Sequence, residues 1–138
     1  MINAQKPDLI LIGGDLIDNS VVPLYEEKMT EELAELKAPL GIYMVPGNHE
    51  YISGIRKSMQ FINDTPIRLL RDDVVTLPGG IQIIGRDDRS NKSRLSLQEL
   101  VKNIDPAKPV ILLDHQPYNL SDTENAGIDL QFLSLIHI

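Results

Sequence analysis

The sequence contains no cysteine and no tryptophan, and only 4% of its residues are aromatic. Without cysteine there is no disulfide framework, no thiolate metal site and no thiol nucleophile. Basic residues are outnumbered, 13 Lys and Arg against 20 Asp and Glu, for a net charge of −7 with histidine neutral. A protein that binds nucleic acid without regard to sequence needs a basic face to neutralise phosphates, and no such surface is evident here. No apolar run reaches the roughly 18 residues that span a bilayer, and no signal-peptide pattern opens the chain. Internal repeats, low-complexity tracts and linkers are also missing. What is present is a 138-residue chain, one domain in length, with 42% apolar residues and hence enough to build a core. It reads as a soluble acidic domain whose three histidines and clustered carboxylates are the inventory for chemistry.

Buried-strand patterns alternate with amphipathic ones. Asp8–Ile12 reads as a strand ended by Gly13-Gly14, and Leu24–Lys37 as one helix with Tyr25, Met29, Leu33 and Leu36 on its inner face. Leu40–Val45 is the next strand, and Ser53 caps a short helix with Ile55, Met59 and Ile62 on one side. Ile67–Leu70, Val74–Leu77 and Ile81–Gly85 are short strands, the last two forming a hairpin turned by Pro78-Gly79-Gly80. Ser96-Leu97-Gln98-Glu99 is a capping-box pattern that opens a helix through Ile104, its inner face Leu97, Leu100, Val101 and Ile104. Pro109–Leu113 is a third continuous apolar strand, Ser121–Ala126 a helical turn, and Ile128–Leu133 a final strand. The alternation predicts an α/β domain with crossover-connected parallel strands and one antiparallel hairpin, so the sheet arrangement is mixed.

The polar residues stand just after the buried strands. Asp8–Ile12 is followed by Asp15 and Asp18, Leu40–Val45 by Asn48, His49 and Glu50, and Pro109–Leu113 by Asp114 and His115. In a parallel sheet these ends point the same way, and ligand sites lie beyond the carboxyl ends of the strands. Singly, each piece has an ordinary structural explanation. Asp15 or Asp18 suits a helix cap or Asx-turn, Pro46-Gly47-Asn48 a turn, and His115 a hydrogen-bonded structural role. Gly13-Gly14 lacks the remainder of a phosphate-loop pattern. Their coincidence at equivalent strand ends points instead to a site of oxygen and imidazole donors, suited to Mn, Fe, Zn or Mg.

Gly14-Asp15-Leu16-Ile17-Asp18 resembles the GDxxD motif of the calcineurin-like metallophosphoesterases. Gly47-Asn48-His49-Glu50 resembles their GNH[DE] motif, and His115 stands where that family carries an isolated metal-binding histidine. The similarity to bacterial members runs from Pro7 to about Gln131 and includes Gly85–Asp88 and Asp114–Pro117. The resemblance implies a four-layer α/β/β/α sandwich with mixed sheets and a dinuclear metal site at one rim. It implies that Asp15 bridges two divalent ions and that Asn48 and His115 bind one of them. His49 would be a catalytic group that protonates the leaving group or offsets developing charge. The implied reaction is hydrolysis of phosphomonoesters or phosphodiesters by in-line attack on phosphorus. Asp18 and Glu50 are read as carboxylates that orient those groups.

Two family motifs have no counterpart. No DxH precedes Asp15, and GHxH is not found after Asp129-Leu130-Gln131. Counted from Asp129, His137 falls at the second histidine of GHxH; another register puts Ile136 and Ile138 at the two positions. Residues 1–132 are therefore read as a partial calcineurin-like phosphoesterase domain, incomplete in this fragment, and residues 133–138 as a tail outside the family pattern. The expected consequence is an inactive fragment of an active parent. The alternative is a non-catalytic scaffold or binding module on the same fold; a nucleotide-binding Rossmann unit lacks its GxGxxG. The partner expected is a small phosphorylated substrate or a lipid or sugar phosphate, with oligomeric state open. Similar bacterial proteins carry membrane or export segments, which makes a membrane-associated or exported parent the counterpart to a soluble, cytoplasmic default.

Overall fold

The computed structural model of the chain describes residues 1–134 and divides them between two β-sheets. The first holds β1 (Ile10–Ile12), β2 (Ile42–Met44) and β3 (Ile67–Leu69), all parallel and in that order. The second holds β4 (Asp73–Thr76), β5 (Gln82–Gly85), β6 (Val110–Asp114) and β7 (Leu130–Leu133). There β4 and β5 form the antiparallel hairpin expected from the sequence, while β5, β6 and β7 run parallel.

Strand alternation builds four layers. Along β1 and β2, Ile10, Ile12, Ile42 and Met44 pack outward with Leu24, Met29, Leu33, Phe61 and Ile62. These come from α1 (Val22–Glu26), α2 (Met29–Ala34) and α4 (Ile55–Asn63). The intervening Leu11, Tyr43 and Val45 face inward and meet Ile83, Ile111 and Leu113 of the second sheet. On that sheet's far side, Ile84, Val110 and Leu112 pack under Leu97 and Leu100 of α5 (Leu97–Leu100) and Ala126, which follows α6 (Leu120–Asn125). The inner strands β2, β5 and β6 thus bury both faces, whereas β4 and β7 at the edges of their sheet leave residues exposed. At Gly85 the sheets come so close that a Cβ would collide with Leu70.

Three local expectations change. The helix expected over Leu24–Lys37 breaks at Lys28, whose φ of 57° is left-handed, into α1 and α2. The break rotates the first segment, so Leu24 rather than Tyr25 joins the core; Tyr25 is exposed, its ring edge against Phe61 and its hydroxyl donating to Asp64. The cap of α4 is Gly54, not Ser53, because a further helix, α3 (Asn48–Ile52), occupies the preceding turn and Ser53 donates back to the His49 carbonyl. Finally, the three polar strand ends do not share one sheet. Those of β1 and β2 lie in the first and that of β6 in the second, so the rim they form is built across the sandwich. No helix among the described residues is long and apolar enough to cross a membrane.

Candidate metal centre

Glu50 organises the rim. It is fully buried in α3 and accepts three backbone N–H groups: Asp15 at 2.9 Å, Ile17 at 3.0 Å and Gly47 at 2.7 Å. One carboxylate thereby holds the loop after β1 and the turn after β2 in a fixed relation, using charge-assisted hydrogen bonds inside the protein. Gly47 leaves the room this requires, since a Cβ there would collide with the Asp15 carboxylate. Asp15 is held at φ 58°, a left-handed conformation that aspartate tolerates better than most residues. Its Oδ1 accepts the backbone N–H of His49 at 3.0 Å.

His115, at the end of β6, is almost completely buried. Its Nδ1 lies 2.6 Å from the carbonyl oxygen of Gly13. A carbonyl only accepts, so Nδ1 carries the proton, and in the neutral ring Nε2 presents a lone pair. The other ring nitrogen, Nε2, lies 3.1 Å from Asn48 Oδ1 and 3.2 Å from Asp15 Oδ2. Three potential ligand atoms, an imidazole nitrogen, an amide oxygen and a carboxylate oxygen, therefore converge from three chain segments. A divalent cation satisfies such a set, and carboxylate, amide oxygen and imidazole nitrogen suit Mn, Fe, Zn or Mg. The Nδ1–H to carbonyl bond is the usual means of fixing a ligating imidazole. Among the described residues no group of three or more His, Asp and Glu side chains is placed to hold an ion; the cluster here has two such side chains and the amide of Asn48.

His49 follows Asn48 on α3 but turns away from this cluster. Its Nδ1 sits 3.0 Å from the Asp18 carbonyl and 2.8 Å from the Asp18 carboxylate, with the ring about one-third exposed. The hydrogen bond to the Asp18 carbonyl raises its pKa above the usual 6.5; partial burial opposes this, and the Asp15 and Asp18 carboxylates add to it. Asp18 is exposed and touches His49, whereas Glu50 acts on the loop backbone. His137 lies outside the described residues.

A second network braces α3. Tyr51 donates to Asp87 Oδ1 at 2.7 Å, and Arg71 reaches Asp87 Oδ2 through Nε at 3.1 Å and Nη2 at 2.9 Å. Arg71 also donates to the Tyr51 hydroxyl at 3.0 Å. Burial and the bond to Asp87 push the Tyr51 hydroxyl up to about 12. This cluster joins α3 to the ends of β3 and β5, and thus to both sheets. Sequence reasoning missed Arg71 and gave Asp87, within the Gly85–Asp88 stretch, no role, because nothing local marks residues whose partners lie in other elements.

The sandwich and its rim of carboxylate, amide and imidazole define a metallophosphoesterase architecture. The model of the calcineurin-like phosphoesterase family matches residues 1–134, and the chain belongs to that family. An uncharacterized metallophosphoesterase of Aquifex aeolicus is 38% identical over 82% of this chain and 44% of its own length. One from Helicobacter pylori (strain J99) is 36% identical over 94% of this chain and 35% of its own. A bovine transmembrane protein with metallophosphoesterase domain is 28% identical over 96% of this chain and 33% of its own. The chain thus spans less than half the length of these relatives. No solved structure matches it.

Proposed function

We propose that the full-length protein hydrolyses phosphate esters at a centre of two divalent ions, with Asp15 bridging them and Asn48 and His115 completing the ligands of one. The observation that carries this reading is the convergence of a carboxylate, an amide oxygen and an imidazole nitrogen from three chain segments. Divalent ions there supply positive charge opposite the phosphoryl oxygens, where negative charge develops during transfer. Asp15 and Asn48 reach the centre from one sheet and His115 from the other, all fixed by Glu50 and the Gly13 carbonyl. His49 keeps Nδ1–H on Asp18, so its second ring proton, on Nε2, is the one offered to a leaving oxygen or to developing charge. The substrate is a phosphomonoester or diester of a small molecule, with lipid and sugar phosphates in the same class.

The family resemblance assigns the second ion to DxH and GHxH residues, of which this chain carries no DxH. We therefore assign the 138-residue chain one tightly held ion and no appreciable turnover. Calorimetric titration with Mn²⁺, alongside monoester and diester hydrolysis assays, tests both statements. One ion per chain with no turnover is expected; two ions, or turnover equal to that of the full-length protein, overturns the assignment. In the full-length enzyme His49→Ala is expected to keep its metal content and to lose roughly 10²–10⁴ in turnover. Loss of one equivalent of metal in that variant would show His49 to be a ligand instead.

A further inference from the structure

Beside the metal centre, past the ends of β5 and β6, lies a pocket of about 230 Å³ whose walls include Arg86, Arg94, Ser96, Tyr118, Asn119 and Asp122. None of Asp15, Asn48, His49 and His115 lines it. Arg86 is only 9% exposed, and its Nε is a buried donor with no hydrogen-bond partner. Among the described residues its guanidinium makes one hydrogen bond, from Nη1 to Asp114 Oδ2 at 2.9 Å. Arg94, its side chain 11% exposed, reaches the other oxygen of Asp114 at 3.7 Å and donates to the Asp87 carbonyl at 3.0 Å. One buried carboxylate thus answers two buried guanidiniums that together carry ten N–H donors. Asp122 stands on the wall without forming an ion pair with either arginine among the described residues. A third cation, Arg89, lies 4.1 Å over the Tyr118 ring.

A buried guanidinium donor without an acceptor, as Arg86 Nε is among the described residues, is costly, and the cavity that Arg86 lines gives an acceptor room near it. A planar carboxylate would occupy the fork of one arginine. The guanidiniums here come from two arginines on separate segments, with Asn119 on another wall, a spread that suits the several oxygens of a tetrahedral ion. We propose that this pocket binds a phosphate group, and that it is a site separate from the metal centre. The loop from His115 to Asn119 belongs to both, so the two sites are neighbours on one rim. The phosphate is either the free ion or one carried on an organic molecule; the chemistry that holds it is the same.

The test is calorimetric titration of the 138-residue chain with inorganic phosphate and with methyl phosphate, in EDTA so that no metal contributes. Saturable one-to-one binding is expected. Arg94→Gln should weaken it by about tenfold or more, the effect of losing a charge-assisted contact. Asp122→Asn should tighten it by roughly two- to fivefold, by removing a nearby like charge. Asp122→Asn leaves the Arg86–Asp114 pair untouched, so the proposal is tested even if Arg94→Gln fails to fold, as circular dichroism would report. Methyl phosphate binding at least as tightly as inorganic phosphate supports a group carried on an organic molecule, and inorganic phosphate binding alone supports the free ion. Absence of saturable binding by both, or affinities that neither variant shifts, overturns the proposal.

Discussion

The metal centre and the arginine pocket are opposites built side by side. In the proposed centre, Asp15, Asn48 and His115 bring a carboxylate oxygen, an amide oxygen and an imidazole nitrogen toward one another. In the pocket, Arg86 and Arg94 hold donors that their one shared carboxylate does not fill. The rest of the rim is matched: Glu50 takes three N–H groups and Asp87 takes Tyr51, Arg71 and Asn91. Two clusters of opposite charge on one rim, one of acceptors and one of donors, are what the two proposed ligands of opposite charge call for.

The largest way to break this contrast is to remove the matched part that supports the centre. Glu50→Gln replaces an acceptor of three backbone N–H groups with an amide whose NH2 cannot accept, and should cost about 2–4 kcal/mol of unfolding free energy. Urea denaturation measures it, and a loss below about 1 kcal/mol would mean that the loops after β1 and β2 hold themselves.

Asp15→Asn sharpens the contrast because its two effects have opposite signs. Mn²⁺ affinity should fall by at least the 10–100-fold seen when a group supporting a ligand is lost. In metal-free buffer the same variant gives His115 Nε2 a donor and should be more stable by about 1 kcal/mol, or a few degrees in Tm. A metal-free Tm equal to or below that of the natural chain would show that the three acceptors are not in conflict.

Smaller effects are expected at the supports. Tyr51→Phe removes one hydroxyl from the Asp87–Arg71 cluster and should cost about 1 kcal/mol, read by thermal unfolding. On the pocket side, Glu99 accepts from the Ser96 N–H and hydroxyl, which depresses its pKa below the usual 4.5. Its stabilisation is therefore present above that value and lost as pH falls through the depressed one. The stability gap between Glu99→Gln and the natural chain should be visible at neutral pH and vanish in acid; a gap that persists at low pH would sever it from this ionisation.

β1, β2 and β6 were legible because they pack on both faces, and Asp8–Ile12, Leu40–Val45 and Pro109–Leu113 are the runs that such packing requires. The box at Ser96 and Glu99 was legible because its partners are three residues apart. Asp15, Asn48 and His115 could be singled out from motif and strand-end position, and the fold brings them together. The left-handed Lys28 could not be read, since nothing in the amphipathic pattern around it interrupts the helix. The division of the strands between two sheets was implied by family resemblance and not by periodicity, because strands in one sheet or in two show the same apolar runs. Arg94 escaped notice, and Arg86 and Asp87 were marked only as part of the Gly85–Asp88 stretch, for a third reason: their partners lie up to 28 residues away, and charged residues near strand ends are ordinary.

The bond from His115 to the Gly13 carbonyl joins residues 102 positions apart. During synthesis, the three described strands of the first sheet have all emerged with β3, but their inward face meets no partner until β5 and β6 follow. At typical elongation rates that interval, about 45 residues, lasts roughly 2–9 s. For those seconds Leu11, Tyr43 and Val45 stand uncovered, and Asp15 and Asn48 await their imidazole. The proposed ion site would therefore be assembled only once residue 115 has emerged, and a nascent chain stalled before it would present a sticky half-sandwich for chaperones to shield.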